Sequence, residues 1–389
     1  MKKKIAILGS TGSIGKSLVD ILSKDKKNFE VKFLSAEKNY KELLHQAKLL
    51  NVKNLIITNK DAYFSLLKLN KSKDIKIYNN FKNLKKIISK KVDYCMCAIS
   101  GLAGLIPTYK MIKHCKTLAI ANKESIICGW NLIEKEIKKN KTKFIPVDSE
   151  HFSIWFGLNK INNSKVDSIY LTASGGPLVN TPFKNFKNIK KSQALKHPNW
   201  KMGKKISIDS CTMMNKVFEV IEAKNIFKIP YNKIKILVHQ KSYVHALIKF
   251  NNGLIKIIVH DTNMKIPIFN TLYLDSNKRI NTSNINIKFL NNLDFKKVDH
   301  LKFPLISLIK KLPNKSSLFE TVLVSANDEF VDMYLKDKIK YTDISKKLLS
   351  FLNKKEFLKL KRTQPKKIDE ILKLNQYVRL KINSLSVYK

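Results

Sequence analysis

The apolar positions of this chain follow two rhythms. Short, mainly apolar runs, Lys4-Ile5-Ala6-Ile7-Leu8, Val31-Lys32-Phe33-Leu34, Leu55-Ile56-Ile57, Tyr94-Cys95-Met96-Cys97-Ala98-Ile99 and Thr117-Leu118-Ala119-Ile120, have the length and continuity of strands buried on both faces. Between them, Tyr40 to Leu50, Phe81 to Ser89 and Leu105 to Lys113 read as helices. Strand and helix in alternation predict a parallel, doubly wound sheet, so residues 1 to about 145 read as a Rossmann-type α/β domain. Beyond it, Phe144-Ile145 reads as the end of a buried strand turning through Pro146-Val147-Asp148-Ser149-Glu150-His151 into an apolar helix. Strands expected at 166–172, 234–238, 243–250 and 254–260 form a second sheet, giving a central α+β domain over 146–275. A lysine-rich polar stretch at about 184–205 interrupts that domain. Residues 276–302 read as a polar linker, and the Leu-Lys periodicity of 303–389 predicts a small α-helical domain with a supporting role.

Length and charge add bounds. A chain of 389 residues exceeds what one hydrophobic core usually serves. Its 75 Lys+Arg against 30 Asp+Glu give a formal charge of +45, a balance that ordinarily points to a polyanionic partner. Here the excess is mostly lysine, spreads through the whole chain and accompanies abundant Ile and Asn, as drift toward AT-rich codons would produce. No helix-turn-helix, zinc-finger or aromatic ribonucleoprotein motif accompanies it, so we read a solvated surface and expect no nucleic-acid partner. Cys95, Cys97, Cys115, Cys128 and Cys211 contain no C-x-x-C pair, and Cys95 and Cys97, on one face of an expected strand, read as core fillers in a reducing compartment. A strand begins directly after Met1-Lys2-Lys3-Lys4, and no uncharged apolar run approaches membrane-spanning length. A soluble, cytoplasmic protein with no membrane partner is the expectation.

Several stretches carry candidate chemistry. Gly9-Ser10-Thr11-Gly12-Ser13-Ile14-Gly15 follows the first strand and opens a helix, where backbone N–H groups and the helix dipole favour a pyrophosphate. Its spacing is G-x-x-G-x-x-G, so the generic dinucleotide fingerprint is partly met, and a plain tight turn is the competing reading. Asp148 and Glu150 lie two residues apart, and an extended backbone would point both carboxylates to one side. Two hard oxygen ligands suit Mg²⁺ or Mn²⁺. If Ser210 caps a helix running to about Asn225, Asn215 and Glu219 are i, i+4 neighbours with Lys216 beside them. Ser174-Gly175-Gly176 after the strand at 166–172 is either a phosphate cradle or an ordinary turn.

Together, Val147-Asp148-Ser149-Glu150-His151, Leu171-Thr172-Ala173-Ser174-Gly175-Gly176-Pro177, His197-Pro198-Asn199-Trp200 and Thr212-Met213-Met214-Asn215-Lys216 resemble the 1-deoxy-D-xylulose 5-phosphate reductoisomerase family. The resemblance runs in order through nearly the whole chain and thins after about Ile234. It implies conversion of 1-deoxy-D-xylulose 5-phosphate with NADPH to 2-C-methyl-D-erythritol 4-phosphate, an early step of the non-mevalonate isoprenoid route, by a homodimer. It implies a metal, Mg²⁺ or Mn²⁺ with Co²⁺ as a further candidate, held by Asp148, Glu150 and Glu219. Lys123 would join these acids in catalysis and also reach the substrate, with Ser149, Ser174, His197, Trp200, Ser210, Asn215 and Lys216. The cofactor would meet Thr11, Gly12, Ser13, Ile14, Glu37, Lys38, Asn39, Asn122, Glu124 and Gly203, and the stretch at 184–205 would be a flap over the substrate. Asn122 in a helix-capping role, with surface charges beside it, is the competing reading of Ala121 to Ser125.

Departures from the family pattern stand at Glu37, where a small residue is usual, and at Lys201, Cys211, Val217, His239 to Ser242 and Asn314-Lys315. An acid at Glu37 works against a 2′-phosphate, and Lys38 is placed to offset it. Two other readings compete, a metal-dependent NAD(P)H oxidoreductase acting on another sugar phosphate and a basic nucleic-acid binder. Asp148, Glu150, Lys216 and Glu219 speak against the second.

Overall fold

The computed structural model describes residues 1–387 apart from Lys160, Lys201 and Asp275. The chain divides into two compact units, Met1–Ser125 with Ile133–Phe152 and Met264–Asn281, and Ile126–Leu132 with Ser153–Asn263 and Thr282–Lys389. In order, β1 (Lys3–Leu8), α1 (Ser13–Ser23), β2 (Phe29–Ala36), α2 (Tyr40–Leu50), β3 (Asn54–Ile57), α3 (Lys60–Leu69) and β4 (Lys76–Tyr78) are followed by α4 (Leu84–Ile87) and β5 (Val92–Cys97). Then come α5 (Leu105–Met111), β6 (Cys115–Ile120), α6 (Lys123–Asn140), β7 (Lys143–Pro146) and α7 (Ser149–Gly157).

The seven strands form one parallel sheet in the order β4-β3-β2-β1-β5-β6-β7. This is the doubly wound sheet expected from the apolar runs. Ile5 to Leu8 and Tyr94 to Cys97 are wholly buried, as central strands covered on both faces must be. Sequence order reverses between β1 and β5, so the loops after these two strands form the crevice where ligands of such sheets bind. The pattern reading passed over α3 and β4. Strand β4 is a three-residue, partly exposed edge strand, too short to show a period.

The second unit continues with β8 (Val166–Ala173), α8 (Lys191–Leu195), α9 (Lys204–Cys211), α10 (Met214–Phe227), β9 (Ile234–Val238), β10 (Val244–Phe250) and β11 (Ile255–Val259). Its sheet runs β11-β10-β8-β9, with β10 antiparallel to both neighbours and β8 parallel to β9. Ile154 and Leu158 join Val220, Ala223 and Phe227 of α10 in one core with Ile169, Leu171, Ala246 and Ile248.

After β11 comes α11 (Lys265–Leu272) and then α12 (Ile287–Asn291). Helix α11 belongs to the first unit, although the sequence suggested residues up to 275 for the second domain. The reason is apolar: Ile268 and Leu272 are buried in the core that holds Ile5, Leu18 and Phe29. The residues read as a linker are mostly irregular, and Lys296 bridges Val238 of β9. The chain closes with α13 (Leu318–Leu335), α14 (Tyr341–Leu352), α15 (Lys355–Leu358) and α16 (Ile368–Val387), the helical region that the Leu-Lys periodicity predicted. Helix α13 packs against α14, α16 and α9 and is buried along most of its length.

Helix α13 starts with a capping box. Ser317 Oγ accepts from the Phe319 N–H, and Glu320 Oε2 accepts from the Ser317 N–H at 3.0 Å and its hydroxyl at 2.5 Å. Burial pushes the Glu320 carboxyl up to about 7, against the pull of Ser317 and Lys224. Its folded-state pKa thus lies above the unfolded value. The folded state holds the proton more tightly, and the stabilisation present below about pH 4.3 is lost as pH rises through 7. Glu320→Gln keeps the capping geometry without the titration. Thermal melts should show the variant gaining on the parent between pH 5 and pH 8, by up to about 3 kcal/mol from a shift of this size. A parent–variant difference that does not change with pH would show that Glu320 does not titrate in this window.

Candidate active site

At the end of β1, Gly9 has φ +78°, and a Cβ there would fall 2.7 Å from the Ala98 carbonyl oxygen beyond β5. Only glycine lets the two loops of the crevice approach this closely. Helix α1 then begins behind Gly12, an N-cap with no side-chain hydrogen bond, so its first N–H groups are left for a ligand or water. At the end of β2, Glu37, Lys38 and Asn39 are exposed. Lys38 Nζ stands 3.8 Å from Glu37 Oε1, so the acid has a cation beside it, and Asn39 caps α2 by accepting from the Glu42 N–H.

Strands β6 and β7 pair in parallel up to Ile120 and Pro146. Their carboxyl ends therefore bring the start of α6 beside the start of α7. Asn122 caps α6, accepting from the Ser125 N–H at 2.7 Å while its amide donates to the carbonyls of Ile99 and Gly101 and to Glu124. It fills the capping role, and the same amide ties the loop after β5 to α6. Lys123 donates to Asp148 Oδ2, and His151 Nδ1 lies 3.4 Å from Asp148 Oδ1. Burial alone raises the Asp148 carboxyl, but Lys123 and His151 outweigh it and hold the group well below the usual carboxylate range.

Asp148 and Glu150 each offer an oxygen within 4.8 Å of the other, but not in the way their spacing suggested. The strand ends at Pro146, and Glu150 lies in the first turn of α7, whose first intrahelical bond ends on the Asp148 carbonyl. A helix start, and not an extended backbone, brings the two acids together. Ser149 Oγ donates to Glu150 Oε2 at 2.5 Å.

In the second unit, Ser174 follows β8, and its Oγ accepts from the Gly176 N–H at 3.0 Å. His197 Nδ1 accepts from the N–H groups of Asn199 and Trp200, so the ring proton sits on Nε2, 3.1 Å from Ser174 Oγ. Trp200 is half-buried, edge-on to the His245 ring with centroids 6.2 Å apart. Lys201 lies outside the described residues. Ser210 sits in the last turn of α9 and not at a helix start, because Met213 takes a left-handed conformation (φ +62°) and begins a new helix. The i, i+4 relation still holds on α10, where Asn215 Nδ2 donates to Glu219 Oε1 at 2.5 Å. Lys216 is buried and donates to Glu219 Oε2 and to the Thr172 carbonyl. Gly176 closes the arrangement, since a Cβ there would fall 2.8 Å from the Ser210 carbonyl oxygen.

Residues 5–129 match the family description 1-deoxy-D-xylulose 5-phosphate reductoisomerase, residues 144–227 match the C-terminal domain of that enzyme, and residues 260–381 match its DXP reductoisomerase C-terminal domain. A curated 1-deoxy-D-xylulose 5-phosphate reductoisomerase from Pelagibacter ubique is 57% identical over 387 residues, 99% of this chain and 100% of that one. The chain belongs to the 1-deoxy-D-xylulose 5-phosphate reductoisomerase family. The Zymomonas mobilis reductoisomerase in complex with NADPH is 30% identical with a TM-score of 0.88, over 99% of both chains. A DOX-P reductoisomerase in complex with NADPH, fosmidomycin and magnesium is 29% identical with a TM-score of 0.90, over 99% of this chain and 98% of that one.

Within this family member, the first unit gathers Lys123, Asp148, Ser149 and Glu150, and the second gathers Ser174 with His197, and Asn215 with Lys216 and Glu219. Gly203 is the exposed N-cap of α9. Two departures from the family pattern prove to be packing positions: Cys211 and Val217 are both fully buried. The sequence reading left out His151, wholly buried beside Asp148, and Thr172, whose carbonyl receives Lys216. The i, i+3 spacing of Asp148 and His151 on a helix start was the available signal for the first. A backbone acceptor leaves no residue-type signal for the second.

Burial lowers the His197 pKa to about 4, in keeping with an Nδ1 that accepts two backbone N–H bonds. The folded value lies below the unfolded one of about 6.5, so the loop's stabilisation is present above about 6.5 and lost as pH falls toward 4. ¹⁵N NMR of the unliganded protein should find this ring neutral, with its proton on Nε2, from pH 8 down to about 5. A titration near 6.5 would show that the two bonds to Nδ1 are not kept in solution.

Proposed function

We propose that the chain converts 1-deoxy-D-xylulose 5-phosphate, with NADPH, to 2-C-methyl-D-erythritol 4-phosphate, an early step of the non-mevalonate route to isoprenoid precursors. The 57% identity over 99% of the chain carries this reading. Residues 1–145, joined by α11, serve as the NADPH-binding domain, the rest of 146–275 as the catalytic domain with a flap at about 184–205, and 303–389 as the supporting helical domain beyond a linker at 276–302. The first turn of α1, with Thr11, Gly12, Ser13 and Ile14, receives the cofactor pyrophosphate. Glu37, Lys38 and Asn39 meet its adenosine end, Asn122 and Glu124 its nicotinamide half, and Gly203 also lies on the cofactor side. Lys38 beside Glu37 supports acceptance of the 2′-phosphate despite the acid.

Asp148, Glu150 and Glu219 fit a hard divalent cation such as Mg²⁺ or Mn²⁺, with Co²⁺ a further candidate. Asp148 and Glu219 are each already held against a lysine ammonium, as carboxylates sited for positive charge would be. When bound, the ion supplies charge neutralisation for substrate oxygens as the carbon skeleton rearranges, and NADPH supplies the hydride. The chain's own groups bind and orient the substrate. Ser174, Ser210, Asn215, Lys216 and His197 take its phosphate, Lys123 and Ser149 approach the reacting end, and Trp200 on the flap excludes water.

The protein works in the cytoplasm as a homodimer in this reading. Among the described residues no helix is long and apolar enough to cross a membrane, and all five cysteines are buried and outside any disulfide. Strand β11 supports a dimer, since it is an edge strand whose Ile255 and Ile257 are 56% and 45% exposed beside Leu254 at 66%. Apolar edges of this kind are usually covered by a partner.

NADPH oxidation with 1-deoxy-D-xylulose 5-phosphate should be rapid with Mg²⁺ and absent after chelation. Asp148→Asn, Glu150→Gln and Glu219→Gln should each cut turnover by more than about 100-fold, beyond the loss usual for groups outside the metal's own ligands. Near-normal turnover in any one of them removes that residue from the metal site. Light scattering on Ile257→Lys should give a monomer where the parent gives a dimer. A variant that stays dimeric puts the interface elsewhere.

A further inference from the structure

Three arginines, Arg279, Arg362 and Arg379, stand among the 75 Lys+Arg of the chain. Drift toward AT-rich codons exchanges arginine for lysine wherever a positive charge is all that the position needs. At Arg379 the fold needs more than charge. Its Nε donates to Asn375 Oδ1 at 3.1 Å, its Nη1 to Glu329 Oε2 at 3.0 Å and its Nη2 to Asp328 Oδ2 at 3.1 Å. Three donors fixed in one plane meet three acceptors, two of them carboxylates on adjacent residues of α13. An ammonium on a flexible stem cannot hold all three at once.

The network continues from α13 to α9. Lys205 Nζ lies 2.9 Å from Asp328 Oδ1 and 3.0 Å from Asp209 Oδ2, and Asn327 Nδ2 donates to Asp209 Oδ1 at 2.8 Å. Asp209 is 2% exposed and Asn327 wholly buried, so this end of the network is shielded from salt and water. Asp209 directly precedes Ser210. On the far side of that turn, the Ser210 carbonyl abuts Gly176 next to Ser174, and Met213 starts the helix that carries Asn215 and Lys216. At its other end α9 starts at Lys204, four residues after Trp200.

We propose that Arg379 is a positioning residue for the phosphate end of the substrate site, acting through Asp328, Lys205 and Asp209. The proposal rests on the function given above. By holding Asp328 and Glu329, Arg379 fixes the carboxylate that shares Lys205 with Asp209, and so sets where α9 lies. Ser210, the entry to α10 and the end of the flap are set with it. The helical region of the chain thereby takes part in substrate recognition without touching the substrate.

The test uses the full-length enzyme with Mg²⁺ and NADPH. Arg379→Lys keeps the charge and removes the planar fork. It should raise KM for 1-deoxy-D-xylulose 5-phosphate, and weaken a three-carbon phosphonate hydroxamate, by about 3- to 30-fold, the range for substitutions along a coupled network. KM for NADPH, and inhibition by acetohydroxamate, which has no phosphonate, should change less than about twofold, within the scatter expected for an uncoupled site. Lys205→Gln breaks the same connection from the α9 side and should give the same selective loss. It carries the test alone if the Arg379 variant does not fold. The double variant should lose no more than either single one, because both break one connection. Equal losses for NADPH and substrate, additive losses in the double variant, or an unchanged substrate KM would each overturn the positioning role. If the parent enzyme does not consume NADPH with this substrate, the functional reading fails and this proposal fails with it. Parent turnover with unaltered variants defeats the positioning role alone.

Discussion

A carboxylate withdrawn from water must have positive charge beside it, or it takes up a proton. The candidate active site is built on that constraint. Lys123 beside Asp148 and Lys216 beside Glu219 are side chains largely shielded from water, and each pair fixes a charge that neither partner would keep alone in such a setting. Each pair also explains its surroundings. Lys123 and Asp148 meet because two adjacent parallel strands end together and each turns into a helix. Lys216 also reaches the carbonyl of Thr172, so α10 is held to the end of β8 by the cation that neutralises its own acid.

Much of this was legible in the sequence, for a physical reason. Buried parallel strands must be apolar on both faces, so β1, β2, β3, β5 and β6 announced themselves, and helix α2 matched its expected bounds, Tyr40–Leu50. The candidate acids stand out in the sequence because short motifs carry them in order through the chain. Features that depend on tertiary setting were not legible. Strand β4 is short and half-exposed, and α11 joins the first core through Ile268 and Leu272, which local periodicity cannot assign to one core or another. The pairing of Asp148 with Glu150 was foreseen for the wrong reason, since their separation of two residues suits a strand but is produced by the first turn of a helix. Ser210 was misplaced at a helix start because nothing in Cys211-Thr212-Met213 announces a left-handed residue.

Lysine dominates the surface of this protein, yet charge alone does not account for the positions that matter. Where a fold needs a point charge, lysine serves, as at Lys123 and Lys216. Where it needs a fixed fork between two neighbouring carboxylates, the chain has arginine at 379.

The left-handed residue between α9 and α10 has a further consequence. On a single straight helix Ser210 and Asn215, five residues apart, would point about 140° away from each other. The break at Met213 redirects the chain between them, which their proposed shared role at one phosphate requires. This junction is therefore governed by chain length more than by residue identity. Substitutions such as those at Cys211 and Val217 fall on buried packing positions, whereas inserting or deleting one residue would swing one helix a full step about its axis and part the residues proposed to take the substrate phosphate. A gene under strong compositional pressure can keep rewriting the letters of such a segment, provided it never changes their number.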